Sequence, residues 1–326
     1  MILAVCMSPG LTVLRYSALL MSLVPQALTL RTAALMLIPP VLWAGNAIVG
    51  RLVQELIPPL TLNFLRWVLA FVLLLPIAHQ VLRRASPLWP HWKRYGLLGL
   101  LGVGCYSSLQ YLALQTSTPI NVTLVASSAP VFMLAMGAFF FKQVVRKRQL
   151  FGALLSIVGV LLVLCRADWH ALTHVQLVLG DVFVLIATVC WAWYSWLLTQ
   201  TQEPAQVRGN WAFFLMAQVV FGLAWSGAFT AVEWAGYTGL ENVHIRWSWP
   251  LVAALVYVAV GPSVLAYRCW GLGVQRVGPN IASFFANLTP LFAATLSALA
   301  LGELPQLYHL AAFVMIIGGI VVSSRQ

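Results

Sequence analysis

The stretch QTSTPINVTLVASSAP, Gln115 to Pro130, returns 160 positions later as QRVGPNIASFFANLTP, Gln275 to Pro290. Without a gap, Gln115 falls on Gln275, Pro119 on Pro279, Thr123 on Ser283, Ser127 on Asn287 and Pro130 on Pro290. The same offset places Gly159 on Gly319, and a second register aligns Trp43-Ala44 with Trp191-Ala192. Two prolines and a glutamine in one register mark a duplicated unit. Its boundaries read as 31–166 and 167–326, with residues 1–30 outside the fold. That leading segment carries Pro9, Arg15 and Pro25 and shows no clean signal-peptide pattern.

Outward from this repeat the chain is a series of apolar runs. They lie at 33–53, 59–78, 95–115, 119–141, 148–165, 177–199, 210–231, 249–271, 279–301 and 305–323. Each approaches the ~20 residues that cross a bilayer as a helix. Pro58-Pro59, Ser86-Pro87, Glu203-Pro204 and Gly278-Pro279 punctuate them. The composition agrees: 61% of the 326 residues are hydrophobic and 8% are charged. So few charges cannot clothe a soluble globule of this size, and the apolar surface must face lipid. A β-barrel is excluded because the runs do not alternate polar with apolar. The expected fold class is therefore an all-α polytopic membrane protein with ten transmembrane helices. Five helices per unit is an odd number, so the second unit enters the membrane inverted.

A net charge of +11 could point to nucleic acid. The basic residues instead sit in short clusters between apolar runs, among them Arg83-Arg84, Lys93-Arg94 and Arg146-Lys147-Arg148. With the N-terminus in the cytoplasm nearly all of them fall inside, and only Arg51, Arg166 and Arg246 fall outside. Both termini are expected in the cytoplasm. Four of the five cysteines lie in or beside apolar runs, with no CxxC pair, and read as small buried hydrophobes. No cofactor or metal is expected.

The stretch Val41-Leu42-Trp43-Ala44-Gly45-Asn46, followed by Ile57-Pro58-Pro59 and Leu65-Arg66-Trp67, resembles the first two helices of the EamA family in the drug/metabolite transporter superfamily. Gly302-Glu303 and the closing Gly318-Gly319 helix fit the same pattern, so the resemblance covers about 33–323. One departure is Lys142-Gln143, where the first repeat of the family often has Gly-Glu. Within the family the chain looks most similar to bacterial YddG-like aromatic amino-acid exporters. The resemblance implies a bacterial inner-membrane exporter with a small-molecule substrate, taken here to act as a monomer.

Polar and aromatic side chains inside the spans are the candidate substrate contacts. Trp43 and Asn46 share a helix face, as do Trp191 and Tyr194, and Tyr106 and Gln110. Ser283, Phe284 and Asn287 lie along another, with Asn280. Amides avoid lipid, so these faces should turn inward. Aromatic faces with amides suit a flat amphipathic ligand such as an aromatic amino acid, with aromatic cations and other drugs as the alternative. Trp89, Trp92, Trp247 and Trp249 sit at run ends and read as interfacial belt residues. Arg66 lies within a run as an intramembrane charge, facing either a substrate carboxylate or the carbonyls of a broken neighbouring helix. Pro130 and Pro290 read as mid-helix breaks that could hinge the two halves. No acid falls mid-span, so transport without an obligatory proton relay is expected. An intramembrane enzyme would need an HExxH, a GxSxG or a buried acid pair, and the sequence has none; no channel-filter motif appears either.

Overall fold

A computed structural model of the chain describes residues 28–117, 122, 125–165, 168, 170, 178–236, 244–300 and 307–324. Thr123, Pro119, Arg166, Glu241, Gly302-Glu303 and nearly all of segment 1–30 lie outside the described residues. Among the described residues every long element is helical: α1 (Leu30–Leu52), α2 (Pro59–Ala78), α3 (Trp89–Ala113), α4 (Ala129–Phe141), α5 (Lys147–Leu164), α6 (Leu179–Leu197), α7 (Trp211–Trp234), α8 (Trp249–Ala286), α9 (Thr289–Ala300) and α10 (Leu307–Ser324). Eight of these helices are long and apolar enough to cross a bilayer; α4 and α9 are shorter. The chain is a multi-pass membrane protein.

The departures from the expected runs have local causes. Runs 249–271 and 279–301 are fused into α8, which at 38 residues is about 57 Å long, nearly twice the hydrocarbon thickness. It breaks at Gly278, whose φ of 83° and ψ of 161° suit a residue without Cβ, and Pro279 then starts a new helical stretch. Run 279–301 is interrupted again after Ala286, and run 119–141 after Ala126. Pro130 and Pro290 therefore occupy the first turns of α4 and α9, not mid-helix positions. A missing N–H costs nothing there, because that donor has no helical partner anyway.

Capping sets the remaining ends. Asn210 accepts from the Ala212 N–H at 3.0 Å and so starts α7. Ser248 and Thr29 do the same for α8 and α1. The start of α2 takes its cap from another helix: Glu233 of α7 accepts the Leu60 and Thr61 N–H groups at 2.8 Å each, and the Thr61 hydroxyl at 2.6 Å. A carboxylate at a helix N-terminus satisfies orphan donors and complements the macrodipole.

α5 packs along α10, α2 along α7, and α1 along α8 and α9; α3 and α4 both pack on α6. The α5–α10 seam is built from small residues. A Cβ on Gly152 would lie 2.7 Å from the Gly319 carbonyl, and one on Gly159 would lie 3.1 Å from that of Ala312. That closeness is what small residues permit between membrane helices. Side chains such as Phe139, Phe140 and Leu154 stay exposed on the outer faces, as do Trp89, Trp92, Trp247 and Trp249. Both α3 and α8 contain a seven-residue π-helical stretch, Gly99–Cys105 and Ala259–Leu265. These stretches sit 160 positions apart, the offset of the sequence repeat.

Candidate functional site

Seven aromatic rings from five helices meet at the centre of the bundle, around Trp191. The Trp191 ring stacks on Tyr106 at 4.3 Å and on Tyr194 at 5.1 Å. It meets Trp43 edge to face at 5.3 Å, Trp270 at 5.2 Å and Tyr267 at 5.5 Å. Trp67 joins through Tyr267, edge to face at 4.9 Å. Each such pair contributes about 0.5–1.5 kcal/mol beyond the area it buries. Trp43 and Trp191, which the second sequence register aligns, are thus in ring contact.

Most polar tips of the cluster are satisfied. Trp43 Nε1 donates to the Pro262 carbonyl, within the π-helical stretch of α8, at 3.3 Å. Trp270 Nε1 donates to Ser195 Oγ at 3.1 Å, Tyr194 to Gln218 Oε1 at 2.8 Å, and Tyr267 to the Gly102 carbonyl. Two tips are not satisfied: Trp191 Nε1 and Trp67 Nε1 are buried with no acceptor.

Arg66 borders this cluster. Its guanidinium carbon lies 5.4 Å from the Trp67 ring centre, and the residue is 1% exposed. Nε donates to Ser263 Oγ at 2.8 Å; the terminal nitrogen Nη1 donates to the Tyr111 hydroxyl at 2.9 Å and to Asn46 Oδ1 at 3.4 Å. The contact with a broken neighbour is made indirectly. Pro262 has no N–H for the Val258 carbonyl, which instead receives the Ser263 hydroxyl at 2.7 Å while that oxygen accepts from Arg66. Every hydrogen-bond partner of this charge is neutral. The ion pairs among the described residues lie elsewhere: Glu203 holds Arg94 at 2.9 Å and Arg208 at 2.8 Å.

Of the residues selected from sequence, Trp43, Tyr106, Trp191 and Tyr194 come together in the cluster. Gln110 lies one turn from Tyr106, partly buried, and Asn46 joins Arg66 and Tyr111. Ser283, Phe284 and Asn287 are buried, and Phe284 packs in the same apolar core as the rings without one of the ring contacts given above. Ser283 donates to its own helix at the Asn280 carbonyl, and Asn287 bridges to Ser156 Oγ at 3.0 Å and to the Ser127 carbonyl at 3.4 Å. Ser127 and Asn287 are repeat counterparts and mark the interruptions before α4 and α9, so the two breaks touch. Sequence reasoning passed over Trp67, Tyr267 and Trp270. A signal existed for the last: Trp270 sits 160 positions after Gln110, on the same face as Tyr267.

A cavity of about 120 Å³ reaches the cluster from one end, past Arg208, Trp211, Gln218, Arg268 and Gln275 to Tyr194 and Tyr267. Arg268 stacks over Trp211 there, 4.4 Å from its ring centre. At the opposite end Val53, Ile57, Leu62, Tyr111, Leu251 and Leu255 form a separate apolar cluster over Arg66 and its partners. A larger hollow of about 530 Å³ lies between α9 and α10, and none of the seven rings lines it.

The profile of the EamA-like transporter family matches the chain over two stretches, residues 30–165 and 178–325. An uncharacterised transporter of Archaeoglobus fulgidus is 25% identical over 91% of this chain and 98% of its own length. A probable amino-acid metabolite efflux pump of Salmonella typhimurium is 25% identical over 89% and 93%. The aromatic amino acid exporter YddG of Ancylobacter novellus is 24% identical over 75% and 78%. A solved crystal structure with 20% sequence identity superposes with a TM-score of 0.66, over 90% of this chain and 96% of that one.

Proposed function

The chain belongs to the EamA-like transporter family, and from that premise we propose that it exports small amphipathic metabolites, foremost aromatic amino acids, across a bacterial inner membrane. It is a carrier and not an enzyme. Two five-helix units, 31–166 and 167–326, form ten membrane crossings in inverted orientation, counting α8 as two at Gly278. Both termini face the cytoplasm, and the chain works as a monomer. Support for the repeat comes from the paired π-helical stretches, from the contact of Ser127 with Asn287, and from the two stretches of family match. The observation that carries the functional reading is Trp191 in contact with five other rings between the units. A substrate ring can replace those contacts face for face, while the units rock about the junction.

Trp43, Asn46, Tyr106, Gln110, Trp191 and Tyr194 are the proposed substrate contacts, with Trp67, Tyr267 and Trp270 added. Ser283, Phe284 and Asn287 serve the path beside the breaks, and Pro130 and Pro290 fix where those breaks fall. No obligatory proton relay is proposed, because the acids placed among the described residues lie at helix ends or in loops: Glu203 and Glu233 are held by neighbouring helices, and Asp181 takes the Ser117 hydroxyl. Names given to relatives, an amino-acid metabolite pump and an aromatic amino acid exporter, agree with this reading. The test is uptake of labelled phenylalanine and tryptophan against alanine and lysine in proteoliposomes, with and without a proton ionophore. Preference for the aromatic pair, unchanged by the ionophore, is the expected result. Equal uptake of all four, or strict dependence on the proton gradient, overturns it.

A further inference from the structure

We propose that the junction recognises an aromatic carboxylate, and that the α-amino group of an amino acid is dispensable. Arylacetates and aryl-2-oxo acids, which lack that amine, are then cargo too. The inference rests on the transporter reading above and narrows its substrate class.

The argument is an imbalance of hydrogen-bonding capacity. Arg66 is a full positive charge at 1% exposure whose partners Ser263, Tyr111 and Asn46 are all neutral. A buried charge without a counter-ion costs several kcal/mol. Two indole donors, Trp67 Nε1 and Trp191 Nε1, have no acceptor at 0% and 2% exposure. Each idle buried donor costs about 1–3 kcal/mol. These three groups belong to one continuous set: the guanidinium lies against Trp67, Trp67 against Tyr267, and Tyr267 against Trp191. What they lack in common is an acceptor carrying negative charge, set on a flat apolar body. An aromatic acid is that object.

The amino group has no matching reward. Each described acid lies away from the rings. Glu203 is taken by Arg94 and Arg208, Glu233 by the start of α2, and Asp181 by Ser117 and the Val178 N–H. Glu55 and Asp168 sit outside the long helices. The idle acceptors, Asn63 Oδ1 and Asn280 Oδ1, are neutral amides. An ammonium group therefore finds at most a neutral partner, whereas a carboxylate finds a guanidinium and two waiting N–H groups. Hydrogen bonds to charged groups contribute about twice what neutral ones do, which fixes the order of preference.

The experiment uses wild-type full-length protein in proteoliposomes. Labelled phenylalanine and labelled phenylpyruvate are each taken up by counterflow into vesicles loaded with phenylalanine, phenylpyruvate, phenylacetate or phenethylamine. The two acids should drive counterflow about as well as phenylalanine, and the amine at least about tenfold less well, the factor equivalent to ~1.4 kcal/mol. Arg66→Gln should raise the half-saturation of phenylpyruvate by about tenfold or more and leave that of any residual phenethylamine flux unchanged. Arg66→Lys, which keeps the charge and loses the planar fork, should fall between; melting in detergent reports whether either variant is folded. Phenethylamine exchanging as well as phenylpyruvate overturns the inference. Phenylalanine exchange without phenylpyruvate exchange overturns it while leaving the amino-acid reading intact. Phenylpyruvate exchange without phenylalanine exchange does the reverse, and flux of neither compound overturns both.

Discussion

Two contacts between distant parts of the chain, the α5–α10 seam and the aromatic junction, are made of opposite materials. The seam joins Gly152 and Ser156 to Gly319 and Ser323, and Gly159 to Ala312 and Ile316, with backbone close to backbone. Its polar atoms are spoken for: Ser156 receives Asn287, and Ser323 donates to the Gly319 carbonyl at 2.7 Å. The junction is built of rings and leaves two indole donors idle near a charge with neutral partners. The lesson is where stability and work are kept. A seam with no room for one methyl group holds α5 against α10. The junction keeps unmet bonding capacity, and unmet capacity is what a passing solute can satisfy.

Mutations can break or sharpen that contrast. The largest effect belongs to the seam. Gly152→Val drives a Cβ against the Gly319 carbonyl at 2.7 Å, where backbone cannot yield. We expect a loss of about 3 kcal/mol by overpacking, read as a large fall in melting temperature in detergent. Unchanged melting would mean that the seam is looser than drawn. At the junction, Trp191→Phe keeps a ring and removes the idle N–H. Stability should hardly move, while half-saturation for aromatic acids should rise by about threefold to tenfold, the value of one hydrogen bond. A change in stability with no change in transport would make Trp191 a packing residue. The smallest effect belongs to the breaks that touch at Ser127 and Asn287. Pro290→Ala releases the fixed φ that sets where α9 begins, so turnover should slow by about twofold with half-saturation unchanged. Unaltered turnover would reduce that break to a fixed bend.

The sequence already carried much of this. Apolar run length announced membrane helices, and the 160-residue offset paired Ser127 with Asn287, which touch. Trp43, Tyr106, Trp191 and Tyr194 were visible as aromatic residues away from run ends. Trp67, Tyr267 and Trp270 were passed over. A tryptophan or tyrosine looks the same in sequence whether it faces lipid or a neighbour, and Trp270 lies beside Arg268 near an apparent run end. The π-helical stretches were also hidden, because GLLGVGC at 99–105 reads as ordinary helix. The stretch packs closely on α7, where a Cβ on Gly99 would meet the Gly222 nitrogen at 2.6 Å. Pro130 and Pro290 were seen but misplaced within their helices, since proline pattern alone does not tell a first turn from a middle.

Glu233 has a consequence at a distance. By gripping the Leu60 and Thr61 N–H groups it forbids α2 to slide along its own axis, for one residue of travel, about 1.5 Å, would snap both bonds at once. Arg66 rides about one and a half turns further along the same rigid rod. A carboxylate on α7 thereby acts as the datum from which the guanidinium's height is measured, and Arg66 keeps its level relative to α7.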